Sequence, residues 1–328
     1  MGEAVRRSRC KERDLTAKHH DGFALYPSSY SFNWNSVDIG PHIDFLDELR
    51  SAVESQSPTM KFGIYYSLME WFHPLYSKDK NQSSSEFVVT KMMPELKEIV
   101  KRYEPEIVWA DGDWEMTDEY FKSKGFLAWL FNESSVKDSV VVNDRWGKGV
   151  MCKHGTFVTC EDRFNPGVLQ EKKFENILSL DMDSWGYNPL TGLEYIQTTK
   201  QLIRELVTTI ACNGNLLINV GPNANGIIEN IYVERLQQFG KWVKRSEEGI
   251  YGSSPWIRQN YGNNIWFTTK IVSEKLKIFV FVLEYPFDTN SISLSGFDGI
   301  LTNNTKVSLL GYLHKIHVSD KLNKRQLF

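Results

Sequence analysis

Short apolar runs alternate along most of this chain with longer segments in which apolar residues recur every three or four positions. The runs predict buried strands, and the longer segments predict amphipathic helices. The predicted strands cover residues 15–17, 61–66, 107–109, 139–143, 156–160 and 215–220, and the predicted helices cover 87–103, 121–131, 193–211 and 231–243. Strands that alternate with helices favour an α/β fold with a parallel sheet, here a (β/α)8-like TIM barrel.

The pattern changes near residue 250, after which no helix pattern remains. Short strand-like runs follow, several with apolar and polar residues in alternation, at 265–268, 276–283, 291–294, 307–310 and 314–318. Such runs predict a small antiparallel β-sandwich. We therefore divide the chain into a barrel over residues 1–249, which should carry the chemistry, and a C-terminal β domain over residues 250–328.

The composition is that of an ordinary globular protein, with 41% hydrophobic and 24% charged residues among 328. The formal net charge of −3 gives no support for a nucleic-acid partner. No stretch is long and apolar enough to span a membrane, so we expect no membrane partner. Residues 1–13 are basic and contain no apolar segment, so no signal peptide is visible.

The four cysteines, Cys10, Cys152, Cys160 and Cys212, have no CxxC spacing, which argues against a zinc site. Cys152 and Cys160 either pair across a loop in an oxidising compartment or remain free buried thiols. Glycosylation sequons begin at Asn81, Asn132 and Asn303 and favour the secretory route. The lack of a signal peptide in a chain of this kind suggests that its true amino terminus is missing.

Polar and aromatic side chains repeatedly follow the predicted strands. In a parallel β/α barrel such positions gather at one end, where the active site lies. The segments concerned are residues 18–23, 65–71, 111–114, 143–147, 161–163 and 184–187.

Asp111 stands out because it ends a buried strand and is followed by Asp113 and Trp114. Paired carboxylates suit hydrolysis of a glycosidic bond. Other interpretations stay open: Asp111 could cap a helix, Arg145 could form a structural ion pair, and about half of Trp71, Trp114, Trp146 and Trp185 could be core residues. His19 and His20 should diverge if they lie on a strand, so we expect no metal site and treat them as hydrogen-bond donors.

A retaining glycosidase needs an ionised nucleophile and a protonated acid about 5 Å apart. Asp111 suits the nucleophile, because a cation such as Arg145 or a protonated histidine would lower the pKa of its carboxyl group. The acid needs a drier or more anionic place. Asp162, Glu161 and Glu175 are the candidates.

Seven segments together resemble the motifs of α-L-fucosidases of glycoside hydrolase family 29, most closely those of the animal tissue, or lysosomal, type. They follow the order of that family and extend the resemblance from residue 16 to the end of the chain. The segments are residues 16–23, 65–71, 108–115, 142–147, 160–164, 184–187 and 215–222.

The resemblance implies a retaining exo-glycosidase that removes terminal α-L-fucose from glycoproteins, glycolipids and oligosaccharides, with no metal or organic cofactor. It makes Asp111 the nucleophile. The matching substrate-binding positions are His19, His20, Tyr65, Glu70, Trp71, Trp109, Arg145 and Trp185.

The resemblance leaves the acid/base open among three residues. Asp162 is the first choice, and Glu161 would replace it if the alignment shifted by one residue. Glu175 lies in Lys173-Phe174-Glu175, which resembles a Lys-Trp-Glu stretch of the family. A solvated helix face is the other interpretation of Glu175.

The chain also departs from the family. Roughly a hundred residues that would supply the first barrel strands and a His-Trp-Gly motif are not found, and the polar residues 320–325 take the place of a final strand. The alternative is therefore a catalytically impaired fucose-binding relative or a fragment, and a different retaining glycosidase is a third option. The resemblance further implies a lysosomal or extracellular location, and it leaves a homo-oligomer open.

Overall fold

The computed structural model describes residues 11–57, 59–82, 84–285, 292–294, 297, 305–310, 318–321 and 324–327. Cys10 and part of the predicted strands at 291–294 and 314–318 lie outside these residues. Within the described part of the chain, no helix has the length and apolar character that crossing a membrane requires.

Six parallel strands form the barrel part of the fold. Four of them make one sheet in the order β1 (Glu12–Lys18), β2 (Lys61–Ser67), β3 (Ile107–Asp111) and β4 (Val141–Val142). The other two, β5 (Phe174–Ser179) and β6 (Gly214–Asn219), pair in parallel with each other. A parallel sheet aligns the carboxyl ends of its strands, so the loops after β1 to β4 meet on one side.

Helices connect these strands, as a β/α fold requires. Asp44 caps the first of them by accepting from the backbone N–H of Asp47. The Thr198 and Gln201 side chains form a capping box that starts the fifth. The helices are α1 (Phe45–Gln56), α2 (Pro74–Gln82), α3 (Met93–Tyr103) after a π-helical turn at Val88–Met92, α4 (Ser123–Asn132), α5 (Thr199–Ala211) and α6 (Asn230–Ile250).

Two large apolar cores stabilise the barrel part of the described chain. The first lies between β1–β4 and helices α1, α3 and α4. The second joins β5, β6, α5 and α6, and it includes Trp266 and Phe281 from the C-terminal part. The C-terminal strands therefore pack directly on the last two barrel helices.

The C-terminal part consists of two antiparallel three-stranded sheets. One has the order β7 (Ser254–Tyr261), β8 (Ile265–Val272), β9 (Lys275–Val282). The other has the order β10 (Ile292–Leu294), β12 (Lys324–Leu327), β11 (Val318–Lys321). Trp256, Phe267 and Leu294 form a small core between the two sheets, so the predicted sandwich is confirmed.

Several predicted elements are wrong in kind or in extent. Residues 156–160 form no strand but one bridge, between Val158 and Phe174, and 307–310 are not a strand. The helix predicted from residue 193 begins at Thr199, where the capping box lies. Of residues 320–325, which were expected to replace a strand, the described ones, Asp320, Lys321, Lys324 and Arg325, belong to the paired strands β11 and β12. Sequence reasoning also missed α1, α2, β5 and β7.

Candidate active site

Asp111 is the last residue of β3 and lies opposite Ser67 in the sheet register. Its carboxylate accepts a hydrogen bond from the Tyr65 hydroxyl at 2.5 Å and one from Arg145 Nη1 at 3.2 Å. Nε2 of His20 lies 3.8 Å away. The residue is buried except for 9% of its surface. Asp111 thus has fixed partners and a small open face, which a nucleophile requires.

The residue after Asp111 must be a glycine. Gly112 has a φ of +77°, and a Cβ there would lie only 3.0 Å from Ser67 Oγ and 2.9 Å from the Met69 side chain. A left-handed backbone and a close neighbour both exclude larger residues. This turn directs the chain away from the strand end and leaves the Asp111 carboxylate accessible.

Arg145 contacts both the predicted nucleophile, Asp111, and the first-choice acid, Asp162. Its Nη1 binds Asp111, its Nη2 donates to Asp162 Oδ1 at 2.6 Å, and its Nε donates to Thr159 at 3.0 Å. Burial opposes its charge, but Asp111 and Asp162 outweigh burial and raise the pKa of Arg145. The guanidinium also packs on the Trp109 ring at 4.8 Å. The structure therefore brings Asp111, Arg145 and Asp162 together.

Three aromatic rings form a stacked wall beside Asp111. The rings of His19 and Tyr65 are 5.4 Å apart and nearly parallel, and those of Tyr65 and Trp109 are 5.5 Å apart with an angle of 15°. Burial, together with the neighbouring Asp111, raises the pKa of Tyr65, so its hydroxyl keeps its proton and remains a donor. The wall thus offers an apolar face next to two hydrogen-bond donors, the Tyr65 hydroxyl and Arg145.

His20 does not diverge from His19 as predicted. The two ring centroids are 4.0 Å apart, because both residues follow the end of β1 rather than lie within it. Nδ1 of His20 is 2.7 Å from the Ser67 hydroxyl, which itself donates to the Met69 carbonyl. Ser67 has one proton to give, so His20 Nδ1 must be the donor.

The other ring nitrogen of His20 is then free of a proton near neutral pH. Burial and the neighbouring His19 lower the pKa of His20 to about 4. A neutral imidazole protonated at Nδ1 leaves Nε2 as an acceptor. His20 is therefore an acceptor on the side that faces Asp111, rather than the donor that the sequence predicts.

The tryptophans separate into rim and core residues. Trp71 and Trp114 flank the His20 ring at 5.0 and 5.1 Å and are each about half exposed. Trp185 carries the Arg163 guanidinium 5.0 Å above its ring, in the loop after β5. Trp146 is 1% exposed and belongs to the first core.

Glu70 lies in a buried group of four charges rather than at the open face. Lys18 and Lys91 contact its Oε1 at 2.7 and 3.0 Å, and Lys91 also binds Glu95 at 2.6 Å. We call Lys18, Glu70, Lys91 and Glu95 the buried quartet. Glu70 leaves so little room that a Cβ at Gly22 would lie 2.6 Å from its Oε2. The quartet fixes the loops that carry His20 and Trp71.

Glu175 occupies neither a helix face nor the open end of the site. It is the second residue of β5, its Oε2 accepts from Trp109 Nε1 at 2.8 Å, and its Oε1 accepts from Asn215 at 3.1 Å. Burial, reinforced by the charge of Glu12, raises the pKa of Glu175 to about 7. The residue supports Trp109 from below. Glu161 is exposed.

We expect the Glu175→Gln substitution to flatten the dependence of stability on pH. The ordinary pKa is 4.5, so the unfolded chain loses this proton first as the pH rises. The folded chain keeps it to about pH 7. Stability should therefore fall between these values, by up to about 3 kcal/mol. Urea unfolding at pH 4.5 and pH 7.5 measures the fall, with the exposed Glu171→Gln as the matched control. An equal fall in the Glu175 variant would contradict the assignment.

Two further residues shape the site although sequence reasoning does not single them out. Asp144 is fully buried and accepts hydrogen bonds from Cys152, Thr159 and Cys160. The Thr159 hydroxyl in turn accepts from Arg145. The only available signal was the position of Asp144 next to Arg145.

The cysteines resolve the alternative left open above. Cys152 and Cys160 form a disulfide, whereas Cys212 is a buried free thiol. Burial raises the pKa of the Cys212 thiol to about 11. Among the described residues, no three His, Cys, Asp or Glu side chains are grouped so that they could hold a metal ion.

Comparison with known families identifies the class to which this fold and site belong. The family model for alpha-L-fucosidase matches residues 5–248, and the model for the alpha-L-fucosidase C-terminal domain matches residues 258–327. The chain therefore belongs to the alpha-L-fucosidase family, and the predicted resemblance is confirmed.

Animal relatives are similar over most of this chain. Human plasma alpha-L-fucosidase is 45% identical over 302 residues, which cover 91% of this chain and 64% of the relative. Rat tissue alpha-L-fucosidase is 45% identical over 307 residues, with 92% and 64% covered. The chain thus spans just under two thirds of the length of these relatives.

Solved structures confirm the architecture. The crystal structure of Thermotoga maritima alpha-fucosidase superposes with a TM-score of 0.79 at 28% identity, covering 99% of this chain and 73% of that one. A second structure of that enzyme, in complex with fucose, gives a TM-score of 0.77 at 26% identity with the same coverage. The predicted barrel followed by an antiparallel β domain is confirmed.

Proposed function

We propose that this chain carries the catalytic apparatus of a retaining exo-glycosidase that hydrolyses terminal α-L-fucosides, with Asp111 as the nucleophile. The observation that carries the proposal is the setting of Asp111, held by Tyr65 at 2.5 Å and Arg145 at 3.2 Å at the end of a barrel strand. Both groups donate to the carboxylate and orient it, and the ionised carboxylate is the form that attacks.

The reaction proceeds in two displacements. An Asp111 oxygen bonds to the anomeric carbon as the glycosidic C–O bond breaks, and Asp162 gives its proton to the departing oxygen. Water then attacks the same carbon, gives a proton to Asp162 and releases fucose with the Asp111 carboxylate restored. The wall of His19, Tyr65 and Trp109 lines the sugar, and an aromatic face there suits the apolar C5 methyl group.

Asp162 supports the acid/base role better than the two alternatives. Its Oδ1 binds the same guanidinium as Asp111, which places the two carboxylates in one site, and its side chain is 44% exposed, so it can exchange a proton with water. This place is neither drier nor more anionic than that of Asp111, so position and not surroundings supports the role. Glu175 is enclosed beneath Trp109 and cannot reach a leaving group without displacing the indole. Glu161 has no contact with Arg145 or Asp111 among the described residues.

The family and the disulfide support a proposal for the substrate class and the location. We propose a fucosylated glycan as substrate, with His20, Trp71 and Trp185 among the residues that contact it. The Cys152–Cys160 disulfide and the plasma and tissue relatives support an extracellular or lysosomal location. The division into domains at 249/250 also remains a proposal, supported by family matches that end at residue 248 and resume at 258.

A fluorinated substrate tests the nucleophile directly. Incubation with 2-deoxy-2-fluoro-α-L-fucosyl fluoride should add one fluorofucosyl group, because the C2 fluorine slows formation and release of the ester alike, whereas the good anomeric leaving group keeps formation fast. Intact mass and peptide mapping should place the label on Asp111. Asp111→Asn should remain unlabelled. A label on another residue would refute the proposal.

A further inference from the structure

The loop of residues 152–160, which immediately precedes Asp162, is closed on itself by two devices. The Cys152–Cys160 disulfide joins its ends, and the carboxylate of Asp144 binds the backbone N–H groups of Cys152 and Cys160 at 2.6 and 3.3 Å. Both cysteines have a positive φ, 65° and 57°. That conformation is unfavourable for residues other than glycine and persists only where neighbours enforce it. We call Asp144 and the disulfide the loop clamp.

The clamp is connected to both reacting carboxylates through the side chains of Thr159 and Arg145. Oδ1 of Asp144 accepts from the backbone N–H and the hydroxyl of Thr159, at 2.9 and 2.7 Å. That hydroxyl has its proton directed at Asp144, so its lone pair faces Arg145 Nε at 3.0 Å. Arg145 is thereby fixed at its Nε edge, and its two terminal nitrogens bind Asp111 and Asp162.

The buried residues Asp144 and Thr159 differ in exposure from the acid whose position they influence. Asp144 and Thr159 are fully buried, whereas Asp162, two residues after Cys160, is 44% exposed at its side chain. An exposed acid has no packing to hold it in one rotamer. Its position depends on the Arg145 contact and on the loop backbone, and the clamp fixes both.

We infer that Asp144 and the Cys152–Cys160 disulfide are positioning elements that hold Asp162 in the position from which it protonates the leaving group. This inference rests on the proposed function. Asp144 is fully buried, so it acts through Thr159 and Arg145 rather than on a substrate directly. The clamp makes the efficiency of general acid catalysis, rather than the folding of the barrel, depend on a buried carboxylate and a disulfide.

Two substrates separate a lost acid from a damaged fold. Release of a galactose alkoxide from fucosyl-α-1,2-galactose requires a proton, whereas fluoride leaves α-L-fucosyl fluoride with little help from an acid. In the full chain, Asp144→Asn should lower kcat/KM for the disaccharide by about 100-fold. It should change kcat/KM for the fluoride by less than about threefold, because the Tyr65 hydroxyl still holds the Asp111 carboxylate. The exposed Asp138→Asn is the matched control and should alter neither value.

The disulfide arm uses the same pair of substrates. Reduction of the wild-type chain, or the double substitution Cys152→Ser and Cys160→Ser, should produce the same selective loss. The double variant should then no longer respond to the reductant, although Cys212 remains. This arm also keeps the inference testable if Asp144→Asn fails to fold.

A double-variant cycle tests whether the clamp acts through Asp162. In an Asp162→Ala background, Asp144→Asn should lower kcat/KM for the disaccharide by less than about threefold further. Equal losses on both substrates, no loss on the disaccharide, or additive losses in this cycle would overturn the inference. If the wild-type chain hydrolyses neither substrate, the proposed function fails instead, so the two failures are distinguishable.

Discussion

Replacing Asp111 by glycine should lower kcat for an aryl α-L-fucoside by about 10⁴-fold or more, a loss typical for removal of a covalent nucleophile. The substitution leaves a space beside the anomeric carbon, lined by Tyr65 and Arg145. Azide can enter that space and attack the carbon. Added azide should therefore restore turnover and give a fucosyl azide of inverted configuration, which NMR identifies.

The matched control for this prediction is Asp138→Gly, an equal change at an exposed aspartate. It should retain wild-type kcat and show no response to azide. A product of retained configuration from the Asp111 variant would mean that another residue forms the covalent bond. Unchanged kcat in that variant would remove Asp111 from the mechanism altogether.

Replacing Glu95 by glutamine should cause the largest loss of stability. Glu95 is completely buried and binds Lys91 at 2.6 Å and Ser28 at 2.6 Å, with Lys18 at 3.5 Å. Burial opposes its charge, yet the two lysines outweigh it and lower the pKa of Glu95. The amide would leave two buried ammonium groups with Glu70 alone. Removing one partner of such a group costs about 3–5 kcal/mol.

Urea unfolding measures this loss, and Glu98→Gln on the same helix is its control. Glu98 binds Ser29 and the partly exposed Arg102, and its own side chain is 15% exposed, so its replacement should cost less than that of the completely buried Glu95. The Glu95 variant should unfold at a clearly lower urea concentration than the Glu98 variant. Equal midpoints would show that the buried quartet does not stabilise the fold.

The sequence predicts the barrel strands well where a short apolar run ends in a polar or aromatic candidate site residue. β2 and β3 are found because apolar residues precede Tyr65 and Asp111 without interruption. β5 escapes because the charged residues Lys172 and Lys173 precede it and Glu175 lies inside it. A glutamate in a sequence usually predicts an exposed position. Only the three-dimensional structure shows the hydrogen bond from Trp109 that makes burial of Glu175 tolerable.

The candidate site is predictable in its members but less so in their roles. Asp111, Arg145 and Asp162 meet as expected, because each follows a strand or loop at one end of the barrel. The protonation of His20 depends on Ser67, 47 positions away, and no local pattern encodes that pairing. The strand predicted at 156–160 failed because Asp144 takes the backbone donors that a ladder would use.

The hydrogen-bond chain from His20 through Ser67 to Met69 has a consequence for molecular discrimination. All donors in this chain point the same way, so Nε2 of His20 carries a lone pair. The Asp111 carboxylate, the nearest acidic group, is also electron-rich, so a ligand bound here meets two acceptors. A ligand hydroxyl can donate a hydrogen bond to one of these acceptors and so reduces the repulsion between them. An ether or a ketone at the same place would add a third lone pair, so such mimics should bind more weakly, through repulsion as well as through a missing hydrogen bond.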